Sequence, residues 1–135
     1  MNYYDLTDEQ AKRMAVDYNF CACLEHNPQP FNLFDVERVL AVVEGKHDGP
    51  DWHWVVQLND GRFAHLQGGC DYTGWLCQSS ADTAFYSTAE EAARGSVGRG
   101  EISTEIQASL LAQLEQGKSE TWREKQDKTF GLRAA

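Results

Sequence analysis

The tripeptide Asn59-Asp60-Gly61 constrains the fold of this chain more than any other feature. It separates two segments, residues 52–58 and 62–67, that are rich in Trp, Val, Leu and other strand-forming residues. An Asp-Gly dipeptide between two such segments is the strongest short-range signal for a β-hairpin. The sequence therefore predicts two antiparallel strands joined by a tight connection.

The register of this hairpin has two alternatives. A two-residue turn places Val56 opposite His65, and then His53 and His65 lie on opposite faces of the sheet. A three-residue loop places Val55 opposite His65, and then both histidines share one face. A loop that ends in Gly61 suits the three-residue form, with the glycine as the bulge residue.

Two further segments are predicted as strands. Residues 39–43, Val-Leu-Ala-Val-Val, are short, β-branched and apolar on both faces, which is typical of a central strand. Residues 83–86, Thr-Ala-Phe-Tyr, predict a fourth strand. Together with the hairpin they indicate an antiparallel meander of three or four strands.

The N-terminal region predicts one helix. Thr7 is a suitable N-cap with Gln10 three residues later, and the apolar residues that follow are spaced three and four apart. The helix should end near Glu25, because the prolines in residues 27–30 disfavour helical dihedrals in the residues before them.

The C-terminal half predicts two helices. Ser87 and Glu90 have the spacing of a capping box, which opens a short helix ending at Ala93. Residues 102–116 carry apolar side chains at helical spacing, and Gly117 is placed to end this second helix.

These elements predict the α+β class: an antiparallel three- to four-stranded meander packed with an N-terminal helix and C-terminal helices. We expect both the N-terminal helix and the helix at 102–116 to cover the same face of the sheet. The chain of 135 residues, 41% of them apolar, is long enough for one core, so residues 1–135 are predicted as a single domain. Residues 119–135 are predicted as a basic tail that either moves freely, docks on the acidic body or reaches a partner.

Charge and composition exclude several classes of function. The net charge of −9 has the wrong sign for a protein that coats phosphate groups, so direct nucleic-acid binding is not expected. No apolar run reaches the length of a membrane span, and the first residues do not resemble a secretion signal. We therefore expect a cytoplasmic protein that does not bind membranes, with its four cysteines reduced and with no cofactor.

Residues 68–80 are the most unusual stretch, because they concentrate three glycines, two cysteines and two large aromatic residues directly after a strand. Asp71, Tyr72 and Trp75 offer a carboxylate and flat amphipathic surfaces, so we predict that they contact a partner. The alternative is that residues 68–69 form a bulge and that Tyr72 and Trp75 fold into the core.

This stretch, Gly-Gly-Cys-Asp-Tyr-Thr-Gly-Trp-Leu-Cys at residues 68–77, is accompanied by two other distinctive segments at residues 44–52 and 59–63. Together they resemble a set of small hypothetical proteins of bacteria and their phages. The resemblance covers about residues 39–92 and implies no particular activity. It implies a bacterial or phage origin, and from it we expect a phage-encoded protein that acts on a host protein.

The other tryptophans offer a second kind of contact surface. Trp52 and Trp54 alternate along one strand and share a face, which predicts either a core position or an exposed aromatic platform. Trp122 lies in the basic tail, where residues 118–135 carry five positive and three negative side chains. We include all three tryptophans among the candidate partner-binding residues.

No metal site is predicted. Cys21 and Cys23 are two residues apart on the predicted helix, so their side chains point about 200° away from each other and cannot both face one ion. If a metal binds at all, its ligands should be Cys70, Cys77 and His65.

A thiol nucleophile is the remaining chemical possibility, and it would need Cys70 or Cys77 beside His65 or His53. No group that could stabilise an oxyanion or orient the base is evident. The sequence therefore predicts a small acidic protein-interaction module that is not an enzyme and that has a protein partner, with self-association into a homo-oligomer as an open alternative. The first alternative is a small-molecule or zinc-binding module, and the second is a cysteine-dependent enzyme.

Overall fold

The computed structural model describes residues 5–45, 49–72, 74–95 and 102–119, and it confirms the α+β class with an antiparallel meander. In this part of the chain the four strands form one sheet in the order β1-β2-β3-β4, with helices before and after it. The elements are α1 (Asp8–Met14), α2 (Tyr18–His26), a 3₁₀ turn (Leu33–Asp35), β1 (Val36–Val43), β2 (Gly49–Leu58), β3 (Phe63–Asp71), β4 (Gly74–Tyr86), α3 (Ala89–Arg94) and α4 (Thr104–Ser119).

The hairpin between β2 and β3 has the three-residue loop. Val55 lies opposite His65, and the backbone N–H of Leu58 donates to the carbonyl of Arg62 at 2.9 Å. Gly61 has φ of 92°, a left-handed conformation in which a residue with a Cβ atom is strained. The final glycine of the loop therefore selects this register, and it places both histidines on one face.

The prediction of a single N-terminal helix is wrong, because the chain forms two helices in this region. Ala15 has φ of 57° and ends α1, and the Asp17 side chain then accepts a hydrogen bond from the backbone N–H of Phe20 at 2.9 Å. Asp17 is thus the N-cap of α2. Aspartate is a preferred N-cap residue, so Asp17 indicates the start of a second helix even though the helical spacing of apolar residues continues across it.

The ends of the C-terminal helices also differ from the prediction. Thr88 is the N-cap of α3 in place of Ser87, and its hydroxyl accepts from the backbone N–H of Glu91 at 3.1 Å. Helix α4 begins at Thr104 and continues through Gly117, which therefore does not end it. A glycine inside a helix costs only about 1 kcal/mol relative to alanine, so neighbouring turns can outweigh it. The predicted tail lies beyond α4, outside the described residues.

The two pairs of helices cover opposite faces of the sheet, which corrects the expectation that one face is covered by both. Trp52, Trp54 and Val56 on β2 pack with α2 in one core cluster. Val55, between them, packs with α3 and α4 in a second cluster that includes Leu110. Because successive side chains of a strand point to opposite faces, an apolar run needs a layer of helices on each side.

Glutamine side chains occupy the outer edges of the sheet. Gln113 of α4 accepts from the N–H of Val42 at 2.9 Å and donates to its carbonyl at 2.8 Å, as a neighbouring strand would. On β4, Gln29 donates to the carbonyl of Ala81 at 3.0 Å and accepts from the Thr83 hydroxyl. At these positions the edge strands have polar partners from their own chain, which opposes pairing with another sheet.

Candidate functional site

Residues 68–80, which the sequence marks as unusual, form a β-hairpin and not an irregular loop. β3 continues to Asp71, and β4 begins at Gly74, whose φ of 87° permits the tight reversal. Cys70 lies opposite Ser79, but Asp71 lies opposite Gly74, so β4 holds four residues, 75–78, between two neighbouring pairs. This irregularity turns the end of the hairpin relative to the rest of the sheet.

Trp75 anchors the end of this hairpin. Its side chain is only 2% exposed, and its ring lies 5.5 Å from the Trp52 ring and 6.0 Å from the Trp54 ring, measured between centroids. Its indole Nε1 donates to Oδ1 of Asn19 on α2 at 3.2 Å. The hairpin is therefore tied to the core and to α2 at the same residue.

Gly68 allows α2 and Trp75 to approach β3 closely. A Cβ atom at this position would lie 3.1 Å from Sγ of Cys23 and 3.1 Å from Cη2 of Trp75, which is closer than ordinary van der Waals contact. Any other residue would push the helix or the indole outward. The glycine thus serves close packing at this point.

The far end of the hairpin presents apolar side chains to solvent. Tyr72 is 80% exposed and Leu76 is 59% exposed, while Asp71 beside them is partly exposed. We call Asp71, Tyr72 and Leu76 the hairpin tip. Two large apolar side chains on a tip that the core holds in place are the most prominent surface feature of the described residues that could serve recognition.

The structure separates the predicted partner-binding residues into two groups. Tyr72 is exposed as a contact residue must be, whereas Trp52, Trp54 and Trp75 are buried, so the prediction that these three contact a partner is wrong. They are buried because α2 covers their face of the sheet. Trp122 lies outside the described residues. Leu76 was missed, although alternation along β4 implies that it points outward if Trp75 points inward.

The described cysteines, Cys21, Cys23 and Cys70, are buried thiols that form no disulfide with one another, and Cys77 has its side chain outside the described part of the chain. Burial raises the pKa of Cys21 to about 12, with Asp17 and Glu25 adding to the effect. Burial also raises the pKa of Cys23 to about 12, with a smaller contribution from Cys70. Because the thiolate is the nucleophile and the metal ligand, these two thiols are poor candidates for either role at neutral pH.

The proposed metal and dyad partners do not come together. Cys70 belongs to the cluster beneath α2, whereas His65 lies on the other face of β3, where it contacts α3. The ligand set that included both residues is therefore wrong, and Cys70 cannot use His65 as a base. Among the described residues no group of three or more His, Cys, Asp or Glu side chains could hold a metal ion.

His53 and His65 instead form a buried pair. Nδ1 of His53 lies 2.8 Å from Nε2 of His65, and Nδ1 of His65 lies 2.7 Å from the carbonyl oxygen of Ala92 in α3. A carbonyl only accepts, so Nδ1 of His65 carries the proton and the neutral Nε2 accepts from His53. Burial lowers the pKa of His65, and its bond to Ala92 opposes this in part. The pair ties α3 to the sheet.

This pair predicts a loss of stability in acid that depends on His65. As the pH falls, the His65 side chain is protonated at a higher pH in the unfolded chain than in the folded chain. The contribution of His65 to the free energy of unfolding is therefore complete above about pH 6.5, and it is lost as the pH falls through the lower pKa of the folded state. We expect the free energy of unfolding to fall by up to about 1.4 kcal/mol per pH unit from this proton. Urea denaturation between pH 7.5 and 5 measures it.

The control for this experiment compares two variants. His65→Gln should remove the part of the pH slope that His65 causes, whereas Leu76→Ala, at an exposed position without a titratable group, should keep the wild-type slope. Equal slopes for the wild type and His65→Gln would show that the buried pair does not titrate with unfolding.

A groove of about 210 Å³ lies between α1, the 3₁₀ turn and β1, near the opposite end of the sheet from the hairpin tip. Leu6, Met14 and Leu33 line it together with the exposed side chain of Arg13. Phe34, which is 62% exposed, lies at this groove too. The groove is the second surface that could take a ligand.

No helix among the described residues is long and apolar enough to cross a bilayer. The comparisons with known proteins found no protein-family model, no curated protein and no solved structure that matches this chain.

Proposed function

We propose that the protein is a non-enzymatic interaction module that binds another protein through the hairpin tip. The observation that carries this proposal is the exposure of Tyr72 and Leu76, at 80% and 59%, on a hairpin whose next inward residue, Trp75, is buried. Large apolar side chains exposed on an element that the core anchors are typical of protein interfaces.

The anchoring of the tip supports this proposal energetically. Tyrosine is enriched at interface positions that contribute most to affinity, because it buries a large area at a small cost in side-chain entropy. Trp75 fixes the backbone on which Tyr72 and Leu76 lie, through its contacts in the core and its hydrogen bond to Asn19. An anchored backbone at Trp75 lowers the entropic cost of ordering its neighbours when a partner binds.

The partner that we propose is a host protein in the cytoplasm of a bacterium, with this chain encoded by a phage. The resemblance to small bacterial and phage proteins supports that origin. The net charge of −9 supports a protein partner over nucleic acid, because the phosphate backbone would be repelled.

The groove beside Phe34 favours a second function, the binding of a small molecule. Its volume of about 210 Å³ suits a ligand of modest size, with Leu6 and Met14 as apolar contacts and the Arg13 guanidinium as a donor to an anionic group. We rank this function below protein binding, because Phe34 and Arg13 at the groove are themselves exposed and leave a ligand only partly enclosed.

The deciding experiment removes the apolar groups of the tip. The double variant Tyr72→Ala/Leu76→Ala should stay folded, because both side chains are exposed, and should lose a partner protein captured by the wild type from a lysate of the source cell or its host. A loss of about 2 kcal/mol, equivalent to about 30-fold in affinity, is expected for an interface anchor of this kind.

The matched control is Phe34→Ala, which removes a similarly exposed aromatic group from the 3₁₀ turn before β1. This turn is held to the β2–β3 loop, where the Asn59 side chain donates to the Phe34 carbonyl. It should retain the partner. Capture that survives Tyr72→Ala/Leu76→Ala but is lost with Phe34→Ala would move the interface to the groove and contradict the proposal.

A further inference from the structure

We propose that the buried pair of His53 and His65 acts as an acid-sensitive latch that holds α3 on the sheet. The pair takes up one proton with α3 in place, and a second proton releases the helix while the sheet stays folded. This proposal goes beyond the proposed function, because neither the hairpin tip nor its partner takes part in it. It is also distinct from global unfolding in acid, because the event is local to α3.

Four ring nitrogens define how many hydrogens the pair can hold. Nδ1 of His53 and Nε2 of His65 face each other at 2.8 Å, so only one hydrogen fits between them as an N–H···N bond. Nδ1 of His65 carries a second hydrogen, which it donates to the carbonyl oxygen of Ala92 at 2.7 Å. Nε2 of His53 is the fourth position. Three hydrogens therefore fit this geometry, one more than the two that a pair of neutral imidazoles carries.

The first proton leaves both hydrogen bonds intact. It occupies Nε2 of His53, or it joins His65 while His53 moves its own hydrogen from Nδ1 to Nε2. In either case one hydrogen remains between the two rings. The bond to Ala92 also survives, since Nδ1 of His65 keeps its hydrogen. A pair with one added proton thus still ties α3 to the sheet.

The second proton has no place in the closed pair. Both facing nitrogens would then carry a hydrogen, so two donors 2.8 Å apart would point at each other with no acceptor between them. Two positive charges would also lie in rings whose centroids are 5.1 Å apart and which are at most 2% exposed. Like charges and burial both oppose this state. The rings must separate, and because His65 lies between His53 and Ala92, its movement breaks the bond to α3.

The surrounding elements offer no buried counter-ion from their described side chains. The residues opposite the pair on the neighbouring strands are uncharged: Val43, Gln67, Val55 and Ala84. The charged or titratable side chains that these elements bring to this side of the sheet are Arg38 of β1, Asp71 of β3, Asp82 and Tyr86 of β4, Glu90, Glu91 and Arg94 of α3, and Glu105 and Glu115 of α4. None of these carboxylates is buried, so water screens their charge from the pair.

Helix α3 is the element that an open latch releases, because its own packing is small. The helix has six residues, and its buried side chains are those of Ala92 and Ala93. Burial of apolar area stabilises by only about 25 cal/mol per Å², so two methyl groups contribute little. The sheet keeps the tryptophan cluster beneath α2 on its other face. Local opening of α3 therefore costs less free energy than unfolding of the sheet.

NMR spectroscopy of the full chain between about pH 8 and pH 4 tests the latch, because this range spans the titration of histidine. Long-range ¹H–¹⁵N spectra count the protons that His53 and His65 hold at each pH. The ¹³C methyl resonances of Ala92 and Ala93 report whether α3 is docked. Leu66, which is buried on the opposite face of β3, reports whether the sheet is folded.

We expect two steps. The first proton should leave the resonances of Ala92 and Ala93 at their folded positions. In the second step both should move to those of an unfolded alanine, and the population of released α3 should rise about tenfold per pH unit, because the open state holds one proton more. Leu66 should keep its folded resonance through this step.

Two variants assign the effect to the pair. His53→Gln removes one titrating ring and keeps a side-chain amide facing His65, so α3 should stay docked over the pH range in which the wild type releases it. The matched control, Asp82→Asn, removes an exposed carboxylate from the same side of the sheet and should release α3 as the wild type does. If His53→Gln does not fold, the titration of the wild type decides alone.

Four results would overturn the proposal. In the first, the wild type holds both protons while Ala92 and Ala93 stay docked. In the second, α3 leaves with the first proton. In the third, α3 and Leu66 lose their folded resonances together, so that the event is global unfolding. In the fourth, a folded His53→Gln releases α3 at the same pH as the wild type.

Discussion

Replacing Trp75 by alanine should destabilise the protein by about 3–5 kcal/mol, the range observed when a large buried aromatic side chain is truncated. Trp75 is 2% exposed and contacts both Trp52 and Trp54, so its removal leaves a cavity at the centre of the cluster beneath α2. Domains of this size have about 5–15 kcal/mol of total stability, so the variant should unfold at much lower urea concentration.

Two further variants identify the origin of this effect. Trp75→Phe should keep part of the aromatic packing and lose the hydrogen bond to Asn19, so its loss of stability should be smaller than that of Trp75→Ala. Tyr72→Ala, three residues earlier at an exposed position, should unfold like the wild type. A Trp75→Ala protein within about 1 kcal/mol of the wild type would mean that the indole does not anchor the hairpin tip.

The sheet could be predicted because its signals are local. The hairpin depends on a loop of three residues, and the positive φ of Gly61 selects the register that the sequence favoured. The apolar run at residues 39–43 predicted most of β1 in the same way, whereas only residues 83–86 of β4 (Gly74–Tyr86) were predicted as strand. These local signals were sufficient to predict the α+β class and the antiparallel meander.

The arrangement of helices could not be predicted in the same way, because it depends on contacts between distant residues. In the structure α2 packs over the face of β2 that carries Trp54, and α4 packs over the face that carries Val55. Periodicity marks both faces of β2 as apolar without saying which helix covers which. The break between the first two helices was local, but the N-cap signal of Asp17 was hidden in a continuous apolar pattern.

The candidate site shows the same division between local and distant information. Residues 68–80 stood out by composition, and the exposure of Tyr72 agrees with a contact role. The burial of Trp75 could not be read from that composition, because it requires α2 to approach Gly68 and to offer Asn19 as an acceptor. Once Trp75 is known to point inward, simple alternation along β4 identifies Leu76 as exposed.

Replacing Leu110 by alanine should cost about 2–5 kcal/mol and is the direct test that α4 forms the second layer of the core. Leu110 is completely buried in a cluster with Ala41 and Val55 of the sheet and Ala92 of α3. These neighbours are small, so they can move only a little to fill the space that a leucine leaves. The expected result is a lower midpoint of urea denaturation with little change in its slope.

Leu76→Ala is the matched control for Leu110→Ala, because it deletes the same atoms at a position that is 59% exposed. The control should stay within about 0.5 kcal/mol of the wild type, as surface substitutions usually do. If both leucine variants were equally stable, α4 would not be packed on the sheet in solution. The face that carries Val55 and the buried histidine pair would then be covered by α3 alone, and the role of α4 in the second layer of the core would be contradicted.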